Sequence, residues 1–474
     1  MSAPPAHANA ARFVDAPITP TLARFALPLL LTNLLHALSG SWAALWVGRL
    51  VGPEALTAVA TGSVIVYMLM GAVMGIGTAA GVAIGQQLGA GDGAAVKRVV
   101  GSAVAFVGGF SLLVAGAGIA LAPAIARAMG TPEASVDHVV THLRFTCGSL
   151  PGLFGFLVMV MISRAAGDAH TPMRYTFVWI AVQLALVPAL LGGWGGLPRL
   201  GIAGVGVASG VSVLLALAGL LLHLHLRRAP IALHREDLRH LRPDPVLLAA
   251  LVRRGVPLAL ESIVVQGAYF VLLTLVNRYG AATAAAYAGA AQLWAYVQMP
   301  ANALAASMTA MAAMNIGAGR WDRVEQIAWR GCGLSLLISV TVTAAVYALG
   351  DWPLRLFIPA GGEPLAIAWR IHLIALWGWV ALSGSLGLFA VMRANGAMLP
   401  PTLIFAATMW GLRVPFAHAL QPWLGSDAIW WSFPAGCIGA AVLALAYHRW
   451  GGWRDKPLLL ADLGAPTEEG HLGE

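Results

Sequence analysis

The chain reads as a series of long apolar runs punctuated by charge. Uncharged stretches lie between Arg24 and Arg49, Glu54 and Asp92, Arg98 and Arg127, Arg144 and Arg164, Arg174 and Arg199, and Arg199 and Arg227. Each accommodates the roughly 20 residues that a helix needs to cross a bilayer. After a charged stretch from Arg227 to Arg254 the series resumes over 255–277, 281–308, 331–350, 371–392, 401–421 and 429–448. Barrel strands are short and alternate polar with apolar residues, so runs of this length predict helices. The pattern therefore predicts twelve membrane-spanning helices.

An internal repeat divides them equally. Pro28 and Pro257 are 229 residues apart, as are Arg164 and Arg393, Gly167 and Gly396, and Pro172 and Pro401. The triplet Gly89-Ala90-Gly91 recurs at Gly317-Ala318-Gly319, an offset of 228. Six helices per repeat is an even number, so both halves enter the membrane in the same sense. The expected fold is all-α, with two six-helix lobes related by a pseudo-two-fold axis along the membrane normal. The expected organisation is an N-terminal tail over 1–20, an N-lobe over 21–228, a basic linker over 229–254, a C-lobe over 255–450 and a C-terminal tail over 451–474.

Composition closes off the alternatives. Hydrophobic residues make up 59% of the 474, charged residues 10%, and the mean hydropathy is +0.78. A soluble domain carries about 25% charged residues, so this chain is read as an integral membrane protein. The net charge of +8 comes almost wholly from arginine, Lys97 and Lys456 being the two lysines. In a membrane chain such a balance sets topology and does not point to nucleic acid. With the N-terminus inside, 20 of the 28 Lys and Arg fall on the inner side. Both termini and the linker are thus expected in the cytoplasm, with the helices in the cytoplasmic membrane. Residues 1–20 show no signal-peptide layout. Cys147, Cys332 and Cys437 fall in apolar runs far apart and read as small buried hydrophobes.

Polar groups inside the spans are the candidate chemistry. Glu261 is the single carboxylate within a predicted span, and an intramembrane carboxylate marks an ion pathway by default. The bland alternative is a structural ion pair with Arg253 or Arg254. Arg413 is the other deep charge, placed to attract an anionic group, pair with an acid or bind backbone carbonyls. Asn33, His36, Tyr67, Gln183, Gln266, Tyr269, Gln292 and Gln298 lie at cavity-compatible depth. Such side chains face the bundle interior because lipid cannot satisfy them, more often as interhelical hydrogen bonds than as ligands. Trp294, Tyr296 and Tyr67 are suited to stacking on a flat cation. The ridge Gly77, Gly81, Gly85 and Gly89 predicts close helix packing, Arg164 and Asp168 a charge-paired turn between helices 4 and 5, and His234 to His240 a solvated basic loop. No G-x4-G-K, H-E-x-x-H or G-x-S-x-G is present, and the spans hold too few polar groups for an enzyme.

The segments FALPLLLTNLLHAL, VGRLVGPEALTAVA, GTAAGVAIGQQLGAGD and SRAAGDAHTPM, then GVPLALES, MNIGAGRWDRV, MRANGAMLPP, LRVPFAHAL and HRWGGWR, resemble the multidrug and toxic compound extrusion (MATE) transporters in order and spacing over roughly residues 20 to 455. The resemblance implies a central cleft, alternating access, and export of amphipathic, often cationic organic compounds driven by proton or sodium entry. It also implies coupling carboxylates at positions that here hold Ala43 in helix 1 and Val265 in helix 7. Glu261, where some members also carry an acid, is the remaining candidate, and the proton is expected over sodium. The chain is expected to be an exporter with no cofactor, acting as a monomer on a small organic molecule. The alternatives are a lipid-linked saccharide or lipid flippase of the same superfamily and a non-transporting receptor or scaffold.

The charge bias generates a direct test of orientation. Cysteines introduced at Ser2 and Leu238 should both react with an impermeant maleimide only from the cytoplasmic side; labelling of either from outside overturns the assignment.

Overall fold

The computed structural model describes residues 13–129, 133–242, 244–358 and 361–459. The first twelve residues of the N-terminal tail, and residues 460–474 of the C-terminal tail, lie outside that range. The described chain is helical throughout its length. In order come α1 (Ile18–Leu50), α2 (Pro53–Ala90), α3 (Gly93–Ala128), α4 (Glu133–Ala165), α5 (His170–Gly192) and α6 (Ala203–Leu226), then α7 (Pro245–Asn277), α8 (Ala281–Gly317) and α9 (Trp321–Ala348). Next, α10 is a pair, Gly362–Ala375 and Gly378–Ala394, bent by 48°. Finally α11 (Leu399–Leu424) and α12 (Asp427–Trp450) complete the series. Ten of these helices are long and apolar enough to cross a membrane, and the bent pair makes an eleventh. The other, α8, has 37 residues rich in alanine and interrupted by Gln292, Gln298 and Asn302.

Several helices overrun the spans that hydropathy marks out. α7 starts at Pro245 instead of 255, α8 continues to Gly317, and α9 starts at Trp321, ten residues before its apolar run. Backbone hydrogen bonding does not stop where apolarity stops, so the polar ends continue as helix beyond the bilayer. Hydropathy also misses two irregularities. α10 begins nine residues before its expected start at 371 and breaks after Ala375. Within α11, Ala407–Arg413 is π-helical. Pro415 follows it and has no N–H for the carbonyl four residues back, which favours a shifted hydrogen-bond register.

The chain forms two compact units. One is Leu31–Val256; the other, within the described residues, is 13–30 together with 257–459. The sequence repeat reappears in the turns of both. Left-handed glycines sit at Gly52 and Gly280 (φ 118° and 97°), Gly91 and Gly319 (81° and 70°), and Gly167 and Gly396 (81° and 76°). In the first unit α4 is the central helix, packed by α2, α3 and α6. That packing needs missing side chains: a Cβ at Gly77 would lie 2.5 Å from Met161 Sδ, and one at Gly206 would lie 2.9 Å from the Phe145 carbonyl carbon. The glycine ridge on α2 is therefore a packing face. In the second unit the corresponding helix, the second half of α10, is packed by α8, α9 and α12.

Two loops differ from expectation. Asp168 accepts from the N–H groups of His170 and Thr171 at 3.1 and 2.9 Å and caps the start of α5. It makes no ion pair with Arg164 among the described residues. Residues 234–240 are not a solvated loop. Arg235–Leu241 forms a 3-10 helix docked on α3, with the His240 carbonyl where a Gly101 side chain would stand. Two ion pairs hold it: Lys97 Nζ to Asp237 Oδ2 at 2.8 Å and Arg98 Nη2 to Asp244 Oδ2 at 2.9 Å. The opposite charges lie 140 and 146 residues apart, beyond the reach of local pattern reading. Burial pushes the Asp237 carboxyl up. Hydrogen bonds from Lys97 and the His234 N–H, with the Lys97 charge, outweigh it and hold the group below the usual carboxylate range. For Asp244, burial is likewise outweighed by Arg98 and the N–H groups of Leu247 and Val246.

A carboxylate lowered on folding stabilises at any pH above its unfolded value, about 4, and that contribution is lost only as pH falls through the lowered one. The linker should accordingly resist trypsin equally at pH 8 and pH 6 despite Arg235, Arg239 and Arg242. The Lys97→Gln, Arg98→Gln variant should be cut severalfold faster. Protection that differs between the two pH values would contradict a clamp held by carboxylates.

Candidate ion-coupling site

Glu261 lies on α7 one turn beyond Pro257, and three helices of the second unit converge on it. α10 brings Arg393 in its last turn. The chain then reverses through Gly396 (φ 76°), whose N–H donates to the Arg393 carbonyl at 2.8 Å, while the Ala397 N–H donates to that of Met392 at 3.1 Å. The reversal needs a left-handed residue, and glycine adopts that conformation without a side-chain clash. It delivers Thr402, in the first turn of α11, beside the same carboxylate. Arg393 Nη2 donates to both Glu261 oxygens at 2.7 Å. Thr402 Oγ1 lies 3.2 Å from Glu261 Oε2 and 3.0 Å from the Pro257 carbonyl oxygen, and can donate to one at a time.

This pair is well enclosed but not fully satisfied. The Glu261 and Arg393 side chains are 16% and 17% exposed. A single nitrogen serves both oxygens, which gives up the two-pronged fit that makes arginine–carboxylate pairs strongest. Arg393 Nε is buried without a hydrogen-bond partner, and the guanidinium lies 5.9 Å from the Phe389 ring centroid. The pair is thus strong enough to fix three helices and open to rearrangement. The sequence reading named the carboxylate and missed both partners. Arg393 looks like a topology-setting charge at a helix end, and Thr402 like any small residue after two prolines. Their 229-residue relation to Arg164 and Met173 carries no signal of contact with Glu261.

The surroundings of this site rest on the chain's tail segments. Asn395, fully buried beside Arg393, donates to the Trp453 carbonyl at 2.7 Å, and Trp453 Nε1 donates to the His448 carbonyl at 2.9 Å. At the end of α8, Asn315 donates to the Phe13 carbonyl at 3.1 Å, and Arg323 donates to that of Ala16 at 2.7 Å. The MNIGAGRWDRV and MRANG segments are therefore docking points for the two ends of the described chain.

The other candidates fall into separate groups. In the first unit Gln183 joins three helices, with Ser39 Oγ 3.4 Å from its Oε1 and its Nε2 donating to Ser209 Oγ at 3.1 Å. His36 lies edge-on to Trp179, centroids 4.9 Å apart. Asn33 is half-buried and Tyr67 exposed. Ala43, at the position of the absent carboxylate, is buried in an apolar cluster with Val47, Leu143 and Val187. In the second unit Arg413 is 7% exposed and lies over Phe433 at 4.9 Å, with Gly436 leaving room for its stem. It does not reach Glu261, whose partner is Arg393. Tyr269 stacks on Tyr287 (5.8 Å) and Tyr287 on Trp430 (5.7 Å). Trp294, expected to be open to a ligand, is buried against Phe433, centroids 5.4 Å apart. Gln266 and Gln292 are exposed and Gln298 half-buried.

Comparison with known proteins agrees with this architecture. The MatE family model matches residues 28–188 and 257–418. "Probable multidrug resistance protein YoeA" of Bacillus subtilis is 31% identical over 440 residues, covering 92% of this chain and 95% of that one. "Probable multidrug resistance protein NorM" of Pseudomonas aeruginosa is 26% identical over 92% of this chain and 89% of its own. A crystal structure of MATE in the bent conformation superposes with a TM-score of 0.85 at 18% identity, over 93% of this chain and 96% of that one.

Removing one partner of an enclosed pair costs about 3–5 kcal/mol when burial is complete; with one-sixth exposure, about 1–3 kcal/mol is expected here. Glu261→Gln and Arg393→Gln should each lower thermal stability in detergent by that amount. The double variant should lose clearly less than the sum, because the second change removes an unpaired charge. Simple additivity means the two side chains are not coupled.

Proposed function

The chain belongs to the MatE family, and on that premise we propose that it is a secondary-active exporter of small amphipathic, often cationic organic compounds, driven by protons that load and leave Glu261. Its relatives carry multidrug resistance names over nearly their full length, which supports drug efflux across the cytoplasmic membrane. The one observation that carries the coupling assignment is the Glu261–Arg393–Thr402 junction between α7, α10 and α11.

Protonation of Glu261 removes the charge that answers Arg393. An unanswered guanidinium at this depth is expensive, so the protonated protein favours an arrangement in which Arg393 finds other partners. Loss of the proton restores the attraction and the junction re-forms. A proton thereby biases two arrangements of three helices, and a compound that binds one of them better is exchanged against it. Pro257 helps, since its missing N–H weakens α7 one turn before the carboxylate.

Sodium fits less well. A hard cation needs several oxygen ligands, and Glu261 offers two oxygens already facing a guanidinium at 2.7 Å. The position where relatives are expected to add a helix 1 carboxylate is Ala43, set in an apolar cluster. The flippase reading depends on a cavity charge for an anionic headgroup, and Arg413 is enclosed against Phe433.

Proteoliposomes with pH and sodium gradients imposed separately decide the matter. With ethidium as the probe cation, a pH gradient should drive uphill export and a sodium gradient should not. Glu261→Gln should abolish uphill export while leaving ethidium counterflow at more than half its normal rate. Full uphill export by the Gln variant under a pH gradient, or export driven by sodium alone, overturns the assignment.

A further inference from the structure

We propose that the first unit carries a site for one anionic phospholipid from the leaflet on the linker's side, acyl chain in a groove between α3, α4 and α6, phosphate at the end of α6. A cavity of about 550 Å³ lies there, lined by Val100, Val104 and Val107 of α3, Val158 of α4 and Leu217 and Leu221 of α6. It lies within the roughly 300–1,000 Å³ of ligand-sized cavities. At 1.5 Å per residue, its α3 lining from Val100 to Gly108 sits about 3 to 15 Å beyond Arg98, the last charge before the apolar run. That depth belongs to the near half of a hydrocarbon core about 30 Å thick.

The groove has a roof, and basic residues follow its end in sequence, which distinguishes it from the apolar surface around it. Ile231, Ala232 and Leu233 of the linker close its end, the first two almost wholly buried. His225 lines the groove and lies tilted against His234 of the linker, centroids 4.8 Å apart. Arg227 and Arg228 follow at once, both exposed, and Arg228 is turned by a left-handed backbone (φ 47°). Among the described residues neither makes an ion pair, whereas nearby Lys97 and Arg98 are committed to Asp237 and Asp244. Arginines free of ion pairs, two and three residues beyond the lining residue His225, complement an anionic headgroup above an acyl chain.

The groove also offers a selective way to fill it. A Cβ on Gly108, which lines it, meets nothing within 4 Å, and the same holds for Gly109, which does not line it. Protein equilibrated with equal dioleoylphosphatidylglycerol and dioleoylphosphatidylcholine should retain one phosphatidylglycerol in native mass spectra. Gly108→Phe should lose that lipid and Gly109→Phe should keep it. Arg227→Gln and Arg228→Gln should each weaken phosphatidylglycerol retention about fivefold, with little effect on phosphatidylcholine. Equal retention of the two lipids by the unmodified protein, retention unchanged in Gly108→Phe, or a phosphatidylglycerol preference unchanged in both arginine variants overturns the proposal.

Discussion

Inside a bilayer no water answers a polar group, so every backbone amide must find its partner within the protein. That constraint makes the described spans helical and turns each interruption into a feature with a cause. The π-helical stretch before Pro415, the break after Ala375 and the left-handed glycines are the places where the ladder is rearranged. The same constraint acts with more force on ionised side chains. Glu261 is tolerable at its depth because Arg393 and Thr402 surround it, and those contacts fix how α7, α10 and α11 meet.

The two halves of the repeat meet the constraint differently. α4 and the second half of α10 are the central helices of their units, and each carries an arginine in its last turn, Arg164 and Arg393. In the first unit the position four residues after the helix proline is Thr32, which is buried; in the second it is Glu261. One repeat therefore has an uncharged residue at this position, while the other has a carboxylate opposite its arginine.

Much of the fold was legible in the sequence. Charge-bounded apolar runs located the helices, and the near-constant offset reappears in the paired turn glycines. What local pattern could not show were contacts between residues far apart in the chain. Arg393 with Glu261 is separated by 132 residues and Lys97 with Asp237 by 140. Hydropathy sees one charge at a time, so it ranked Glu261 as a site and its partner as a boundary marker. It likewise read the linker as solvated, because it could not know that α3 presents two cations where Asp237 and Asp244 arrive. Trp294 was misplaced for a related reason: an aromatic residue in a span has the same pattern whether it faces a ligand or, as here, Phe433.

If substrate and proton favour opposite arrangements of the Glu261–Arg393–Thr402 junction, substrate binding must expel protons. Ethidium added to purified protein in weakly buffered detergent solution, with a pH-indicator dye present, should release protons, and more per bound molecule as the starting pH is lowered. The Glu261→Gln variant should bind ethidium and release none. Equal proton release from both proteins would contradict the account, since the titrating group would then lie elsewhere.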